Sequence, residues 1–315
     1  MIEAFANILG IDPFEIWFFL EVLISGLMAG VMYSLVALGF VLIFKASSVF
    51  NFAQGVMVLF AALNFVGFID LGVPAWLSFL MTVGVMIILA FAIERVVLRP
   101  LVNQPHISLF MATIGIGIFL EGFGELIWGS NVKPLDIGIP NDAVFMGEAM
   151  IQEADMFAAV VASILVAVLA LFFHYTRIGR ALRAVADDHQ AALSVGIPLN
   201  TIWVIVWSVA GFVALIAGIM WGSKLGVQFS LSVLALKALP VLILGGFTSS
   251  PGAIIGGLII GAGEKLSEVY IVDFIQTFDP TFSGAIEEWF AYILALAFLY
   301  FRPQGLFGEK IIERV

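Results

Sequence analysis

Few side chains in this chain of 315 residues are equipped for covalent chemistry, and those few do not cluster. Cysteine is absent, so there is no thiol nucleophile, thiolate metal site or disulfide. The three histidines, His106, His174 and His189, stand far apart, and none has the His-Glu-x-x-His spacing that sets two metal ligands and a base on one helical face. A Gly-x-Ser-x-Gly nucleophile turn is missing. So is the Gly-x-x-x-x-Gly-Lys-Ser/Thr loop that cradles phosphates, and ATP is not bound here in that manner. An enzyme is therefore not expected, and no cofactor or metal is required.

What remains is polarity set within long apolar stretches. Lys237 stands eight residues into the run 229–246, and Glu121 and Glu264 lie in two others, while Glu94 sits beside Arg95. An ionisable group at such depth is expensive and marks a pathway or a partnered site. Lys237 is read as facing a polar interior. Glu121 and Glu264 suit either of two roles: the ion-carrying group of a gradient-driven carrier, or residues about one helical turn from the outer surface that face water or other helices.

Two polar interruptions are built alike. They are Lys45-Ala-Ser-Ser-Val-Phe-Asn51-Phe-Ala-Gln54-Gly55 and Gly245-Gly-Phe-Thr-Ser249-Ser250-Pro251-Gly252, each with a hydroxyl or amide residue before a new helix. Ser250 before Pro251 makes a good helix start, because its oxygen takes an orphan N–H and proline at the first position loses no bond. Asn51 is placed to do the same. Breaks at matching places in two halves point to a repeated transporter with its pathway between the halves. On that reading Asn51, Gln54, Gly55, Lys237, Ser249, Ser250 and Gly252 are the pathway candidates; on the competing reading these are tight turns at the membrane surface.

The elements that carry these residues follow from composition. Hydrophobic residues make up 62% of the chain and charged ones 11%, where a soluble domain is roughly half apolar and about a quarter charged. A mean hydropathy of +1.14 spreads that excess over most of the molecule. Apolar runs lie at about 18–44, 49–69, 75–93, 107–128, 157–175, 201–222, 229–246, 251–271 and 286–301. Most approach the ~20 residues a spanning helix needs and all are too long for barrel strands. The expected fold is a single all-α, polytopic transmembrane bundle over 1–315, with about 8–9 spans, interrupted helices and pseudo-repeated halves. The pairs Gly26 and Gly30, Gly252 and Gly256, and Gly257 and Gly261 each have the spacing that lets helix backbones approach closely, which is their default meaning.

Sidedness follows from the basic residues. Lys45, Arg95, Arg99, Arg177, Arg180, Arg183, Arg302, Lys310 and Arg314 fall at run ends that alternate to one side, which is expected to be cytoplasmic. The loops at about 129–156 and 272–285 belong to the other side and are acidic, with Lys133 as their one basic residue. The segment Met1 to Phe18 has no Lys or Arg and is read as a retained outer segment, so the N-terminus is expected outside and the C-terminus inside.

One cytoplasmic feature is neither span nor simple loop. Residues 176–200 hold a stretch of strong helix formers from Ala181 to Ser194. Leu182, Val185 or Ala186, His189 and Leu193 recur on one face, while Arg180, Arg183, Asp187 and Asp188 fall largely on the other. Gly196 with Pro198 ends the helix. Such a helix suits a lipid interface or a groove on a soluble partner. The small residues Ala184, Ala191 and Ala192 bury little area in lipid and favour the partner.

At this point the residues resemble a family. Ala191-Ala192-x-x-x-Gly196, within Gly179-Arg-Ala-Leu-Arg-Ala, Asp187-Asp188 and Ala191-Ala192-Leu-Ser-Val-Gly196-Ile197, is similar to the loop through which branched-chain amino acid (LIV-type) ABC importer permeases dock onto their ATPases. Phe50-Asn-Phe-Ala-Gln-Gly55, Gly245-Gly-Phe-Thr-Ser-Ser-Pro-Gly-Ala253 with Gly256-Gly257, and Arg302-Pro-Gln-Gly-Leu-Phe-Gly308 agree. The likeness covers about 20–310 and is greatest to the H-type permease. Gln190 stands where the docking pattern has Glu, and Gln54 where many relatives have His.

The resemblance implies a multi-subunit importer of the bacterial inner membrane. Its parts would be this chain, a second homologous (LivM-like) permease, two cytoplasmic ABC ATPase subunits and a periplasmic solute-binding protein. Gly179, Arg180, Arg183, Asp187, Asp188, Ala191, Ala192 and Gly196 would then couple to the ATPase. The small-molecule substrate would be a branched-chain or other hydrophobic amino acid, urea, a short amide or an aromatic acid. No nucleic acid partner is expected. The alternative is an ion-coupled secondary transporter of small organic solutes.

Overall fold

Helix α1 (Pro13–Ser47) starts where Asp12 accepts a hydrogen bond from Phe14 N at 3.0 Å and Pro13 takes the first helical position. Its 35 residues rise about 50 Å, well beyond the ~30 Å of a hydrocarbon core. It stops at Ser48, whose φ of 55° is left-handed. The computed structural model describes residues 12–101, 104–139, 142–187, 189–282 and 286–308. After α1 come α2 (Gln54–Asp70), α3 (Ala75–Ala92, with a π turn at Ile93–Leu98), α4 (His106–Trp128) and α5 (Glu153–Tyr175). Then follow α6 (Arg177–Asp187), α7 (His189–Ser194), α8 (Leu199–Leu225), α9 (Ser230–Gly245) and α10 (Ser250–Leu266, with a π turn at Ser267–Ile271). Helices α11 (Val272–Gln276) and α12 (Ile286–Phe301) close the described chain. Between α4 and α5 a hairpin, β1 (Ala143–Met146) and β2 (Ala149–Gln152), turns at Gly147 with φ 74°.

The fold is thus the expected helical bundle. The number of crossings is a different matter. Five helices, α1, α3, α4, α5 and α8, are long and apolar enough to span, and α9 with α10 makes up to a sixth. The runs 229–246 and 251–271 are one pair bent by 115° at the break, because Gly245 ends α9 and Gly246 turns the chain at φ 102°. The run 49–69 is helical only from Gln54, and the 286–301 helix is also short.

Helices α1, α2 and α8 to α10 form the centre, where Leu35, Val41, Met57, Val206, Trp207 and Ile260 are fully buried. Helices α3, α4, α5 and α12 lie around them and turn large apolar side chains outward, among them Ile88, Ile118, Ile164 and Leu296. A continuous apolar exterior of that kind is suited to lipid.

The tightest crossing is between α1 and α10. A Cβ on Gly30 would overlap the Gly257 carbonyl, and one on Gly261 would overlap the Gly30 backbone. Ser34 Oγ donates to Gly30 O at 2.8 Å beside this crossing. The close-packing meaning of Gly26, Gly30, Gly257 and Gly261 holds.

The two ends of the bundle are distinguishable. Trp203, one turn into α8, donates its Nε1 to Ala46 O at 2.9 Å, so the end of α1, the end of α5, α6, α7 and the start of α8 share one end. At the other end Lys133 pairs with Asp70 at 2.5 Å, bridges to Val227 backbone to backbone, and Met150 N donates to Glu21 Oε2 at 2.8 Å.

Candidate functional site

The first interruption lets the chain re-enter the bundle without helix. From Ser48 the backbone runs back beside α1, and Gln54 opens α2 level with Gly39, where a Cβ would overlap its amide. Irregular backbone at membrane depth survives only where protein satisfies it. Here Thr113 Oγ1 on α4 accepts from Phe52 N at 3.3 Å, Asn51 Oδ1 accepts from Ala53 N at 3.1 Å, and Gln54 Nε2 donates to Ala210 O at 3.4 Å. The N-cap of α2 is Ala53, without a side-chain cap, so Asn51 does not cap the helix as expected but turns the chain just before it. Asn51 and Gln54 are both fully buried and joined at 3.4 Å, so within this chain they brace the re-entrant segment. Gly55 admits α9, since a Cβ there would overlap the Ser232 carbonyl.

The second interruption is clasped by the C-terminal motif. Leu306 N donates to Leu244 O at 2.8 Å and Phe307 N to Gly245 O at 3.1 Å. Gly246 and Gly305, at φ 102° and 78°, touch backbone to backbone. The N-cap of α10 is Ser249, not Ser250: its backbone is extended and its Oγ accepts from Gly252 N at 3.0 Å, leaving Ser250 and Pro251 as the first two helical residues. Gly252 packs on Gly245 across the bend.

The two interruptions meet. The Phe247 ring lies 5.6 Å from Phe44 and 6.4 Å from Phe50, and Phe50 stacks on Phe40 at 4.6 Å. Phe52 and Phe110 extend the cluster at 4.6 and 4.9 Å. This aromatic junction was not singled out from sequence; the phenylalanine inside each interruption was its signal.

Lys237 does face a polar group. Its Nζ lies 3.9 Å from Glu264 Oε1, with 30% of the lysine side chain exposed and 4% of the glutamate's. One turn away, Pro240 has no N–H to give Leu236 O, and Tyr292 on α12 supplies the missing donor at 2.7 Å. Lys224, at the outer end of α8, pairs with Asp155 at 2.7 Å.

Residues 176–200 divide into α6 and α7. Asp188 and the side chains of His189 and Gln190 lie outside the described residues. A Cβ on Gly179 would overlap the Phe173 carbonyl, so the elbow between α5 and α6 closes tightly. Arg180 donates to Tyr175 O at 3.1 Å, and Arg183 to Phe173 O at 2.8 Å and His174 O at 3.4 Å. The two arginines thus satisfy carbonyls that every helix leaves orphaned at its C-terminus. Leu182, Val185 and Ala192 are buried in the bundle, whereas Asp187 and Ala191 are exposed, with Leu193 at 52% and Val195 at 75%. Leu193 does not share the buried face of Leu182, because one helical period does not carry across the division. Gly196, at φ 85°, closes α7 with Gly196 N to Leu193 O at 3.0 Å and Ile197 N to Ala192 O at 3.0 Å. No group of three or more His, Asp or Glu suited to a metal occurs among the described residues.

Residues 22–302 match the family model described as branched-chain amino acid transport system / permease component. The high-affinity branched-chain amino acid transport system permease protein LivH of Escherichia coli (strain K12) is 28% identical, with 95% of this chain and 98% of LivH covered. The corresponding protein BraD of Pseudomonas aeruginosa is 29% identical over 96% of this chain and 99% of BraD. The ribose import permease protein RbsC of Escherichia coli (strain K12) is 28% identical over 51% of this chain and 53% of RbsC. Among solved structures, PsaBC from Streptococcus pneumoniae in complex with Fab aligns at a TM-score of 0.47 and 13% identity, covering 90% of this chain and 91% of that one.

Proposed function

Because the chain belongs to the family of permease components of branched-chain amino acid transport systems, we propose that it serves an importer, translocating branched-chain or related amino acids into the cytoplasm. A second, LivM-like permease would complete the pathway, two ABC ATPases would dock on α6 and α7, and a periplasmic binding protein would deliver the solute at the opposite end. The observation that carries this reading is the exposed apolar tip of the α6–α7 elbow, Leu193 and Val195, at the bundle end shared by the ends of α1 and α5. A surface of that kind fits a partner's groove. Since Ala192 is buried in this chain, the docking face is formed by Ala191, Leu193, Ser194 and Val195, with Asp187 beside them.

Of the two groups the ion-coupled reading offers, Glu121 and Glu264, the second lies 3.9 Å from Lys237 Nζ, which supports a structural part for it over an ion-carrying one. The deciding experiment reconstitutes the permease with its ATPases and binding protein in liposomes and follows radiolabelled leucine. Uptake that requires ATP and ignores a protonophore is expected. Gradient-driven uptake without ATPase would overturn the reading.

A further inference from the structure

At the bundle end opposite α6 and α7, the described residues line a partly open cavity of about 820 Å³. That is within the few hundred to about a thousand cubic ångströms of small-molecule sites. Part of its lining is largely apolar and adaptable: Met28 and Met32 from α1, Met220 and Trp221 from α8. Thioethers of this kind refit around side chains of different shape. The segment Val132 to Ile139 also lines it, pinned by the Lys133 contacts to Asp70 and Val227. Charge is balanced in its wall, with Lys224 and Lys265 against Asp136 and Asp155. Lys224 and Asp155 already face each other at 2.7 Å, and Lys265 reaches Glu268 at 2.6 Å.

A site for an anion alone or a cation alone would carry a surplus of one sign. This one offers both signs together with an apolar lining, the pattern of a zwitterion with an apolar side chain. We propose that the cavity is a binding site within the permease for an amino acid of that class. The carboxylate would meet Lys224 and Lys265, the ammonium Asp155 and Asp136, and the side chain the methionines. The solute would occupy it after release from the binding protein and before it reaches the interrupted helices, which rests on the importer reading above.

The test measures equilibrium binding of radiolabelled L-leucine to the full chain, co-purified with its partner subunits in lipid nanodiscs and without binding protein. Saturable binding is expected, and 4-methylpentanoate and 3-methylbutylamine, which lack one charge each, should compete about tenfold more weakly than leucine. Ala158→Trp, which fills the cavity beside Asp155, should abolish binding. Lys224→Gln, which keeps size and removes charge, should weaken it about tenfold. No saturable binding by the wild type, or affinity unchanged in both variants, overturns the proposal. ATP-driven leucine uptake by the wild-type complex in liposomes is measured alongside. Uptake without cavity binding rejects the cavity and leaves the importer reading standing, whereas absence of uptake counts against the importer reading itself.

Discussion

At the scale of single residues, two costly groups inside the bundle, Leu236 O and Glu264, are answered by named neighbours, and each answer can be removed. Leu236 O loses its helical donor to Pro240 and recovers one from Tyr292, so α9 and α12 are held by a hydrogen bond that exists because of the proline. Tyr292→Phe should lower stability by about 1 kcal/mol in the wild type. In a Pro240→Ala background, where residue 240 again has an N–H for Leu236, the same change should cost almost nothing. Equal costs in both backgrounds, read from thermal unfolding in detergent, would refute the account. Lys237 and Glu264 make the second case. Removing one partner of a buried pair typically costs about 3–5 kcal/mol, while replacing both is near neutral. The cost is smaller here because part of the lysine reaches solvent. Lys237→Met should therefore lower the melting midpoint, and Lys237→Met with Glu264→Gln should restore most of it. A double variant no more stable than the single one would show that the pair is incidental.

At the scale of elements, the sequence was informative about spacing and silent about what covers each face. The glycine pairs of α1 and α10 were legible because close approach of two helices in lipid has few other solutions. The stop at Gly196 was legible because a left-handed residue there is best served by glycine. The cap of α10 was misplaced by one residue, since Ser249 and Ser250 are chemically equal and only the extended backbone at Ser249 tells them apart. The elbow of α6 and α7 shows the larger gap. Its alternation of apolar and charged residues announced an amphipathic helix, but the apolar face turned inward: Leu182, Val185 and Ala192 pack on the bundle, and two arginines cap α5. This changes what mutations report. Ala192→Arg would set a cation inside the bundle and should impair folding of the permease itself. Val195→Asp, on the exposed tip, should leave the permease folded and monodisperse yet reduce co-purifying ATPase at least several-fold, with loss of ATP-driven uptake. Full ATPase stoichiometry in Val195→Asp would place the docking surface elsewhere.

At the scale of the whole molecule, the two interruptions, the C-terminal clasp and the α6–α7 elbow belong to one chain of contacts. Phe50 and Phe247 join the interruptions, Leu306 and Phe307 bond to the end of α9, and Trp203 ties the start of α8 to the end of α1. On the proposed reading, a displacement of the elbow by an ATPase would reach both interrupted helices through these packed groups. Composition made the bundle legible, but apolar length alone does not register that α2 begins after a re-entrant segment or that α9 and α10 share a bend of 115°. Orientation is the consequence to test. Lys45, Arg95, Arg99 and the arginines of α6 point to a cytoplasmic elbow end, and the acidic loop between α4 and α5 to an outer face. The chain has no cysteine, so single cysteines report without background. Asp142→Cys, beside the hairpin, and Arg302→Cys, exposed after α12, are suitable, whereas Gly308 is not, since a Cβ there would overlap the Gln304 carbonyl. An impermeant maleimide applied to intact spheroplasts should label Asp142→Cys and spare Arg302→Cys, and inverted vesicles should give the reverse. Labelling of both from one side would mean that α12 does not carry the chain across, and an exchanged pattern would invert the importer, with its elbow turned away from any cytoplasmic ATPase.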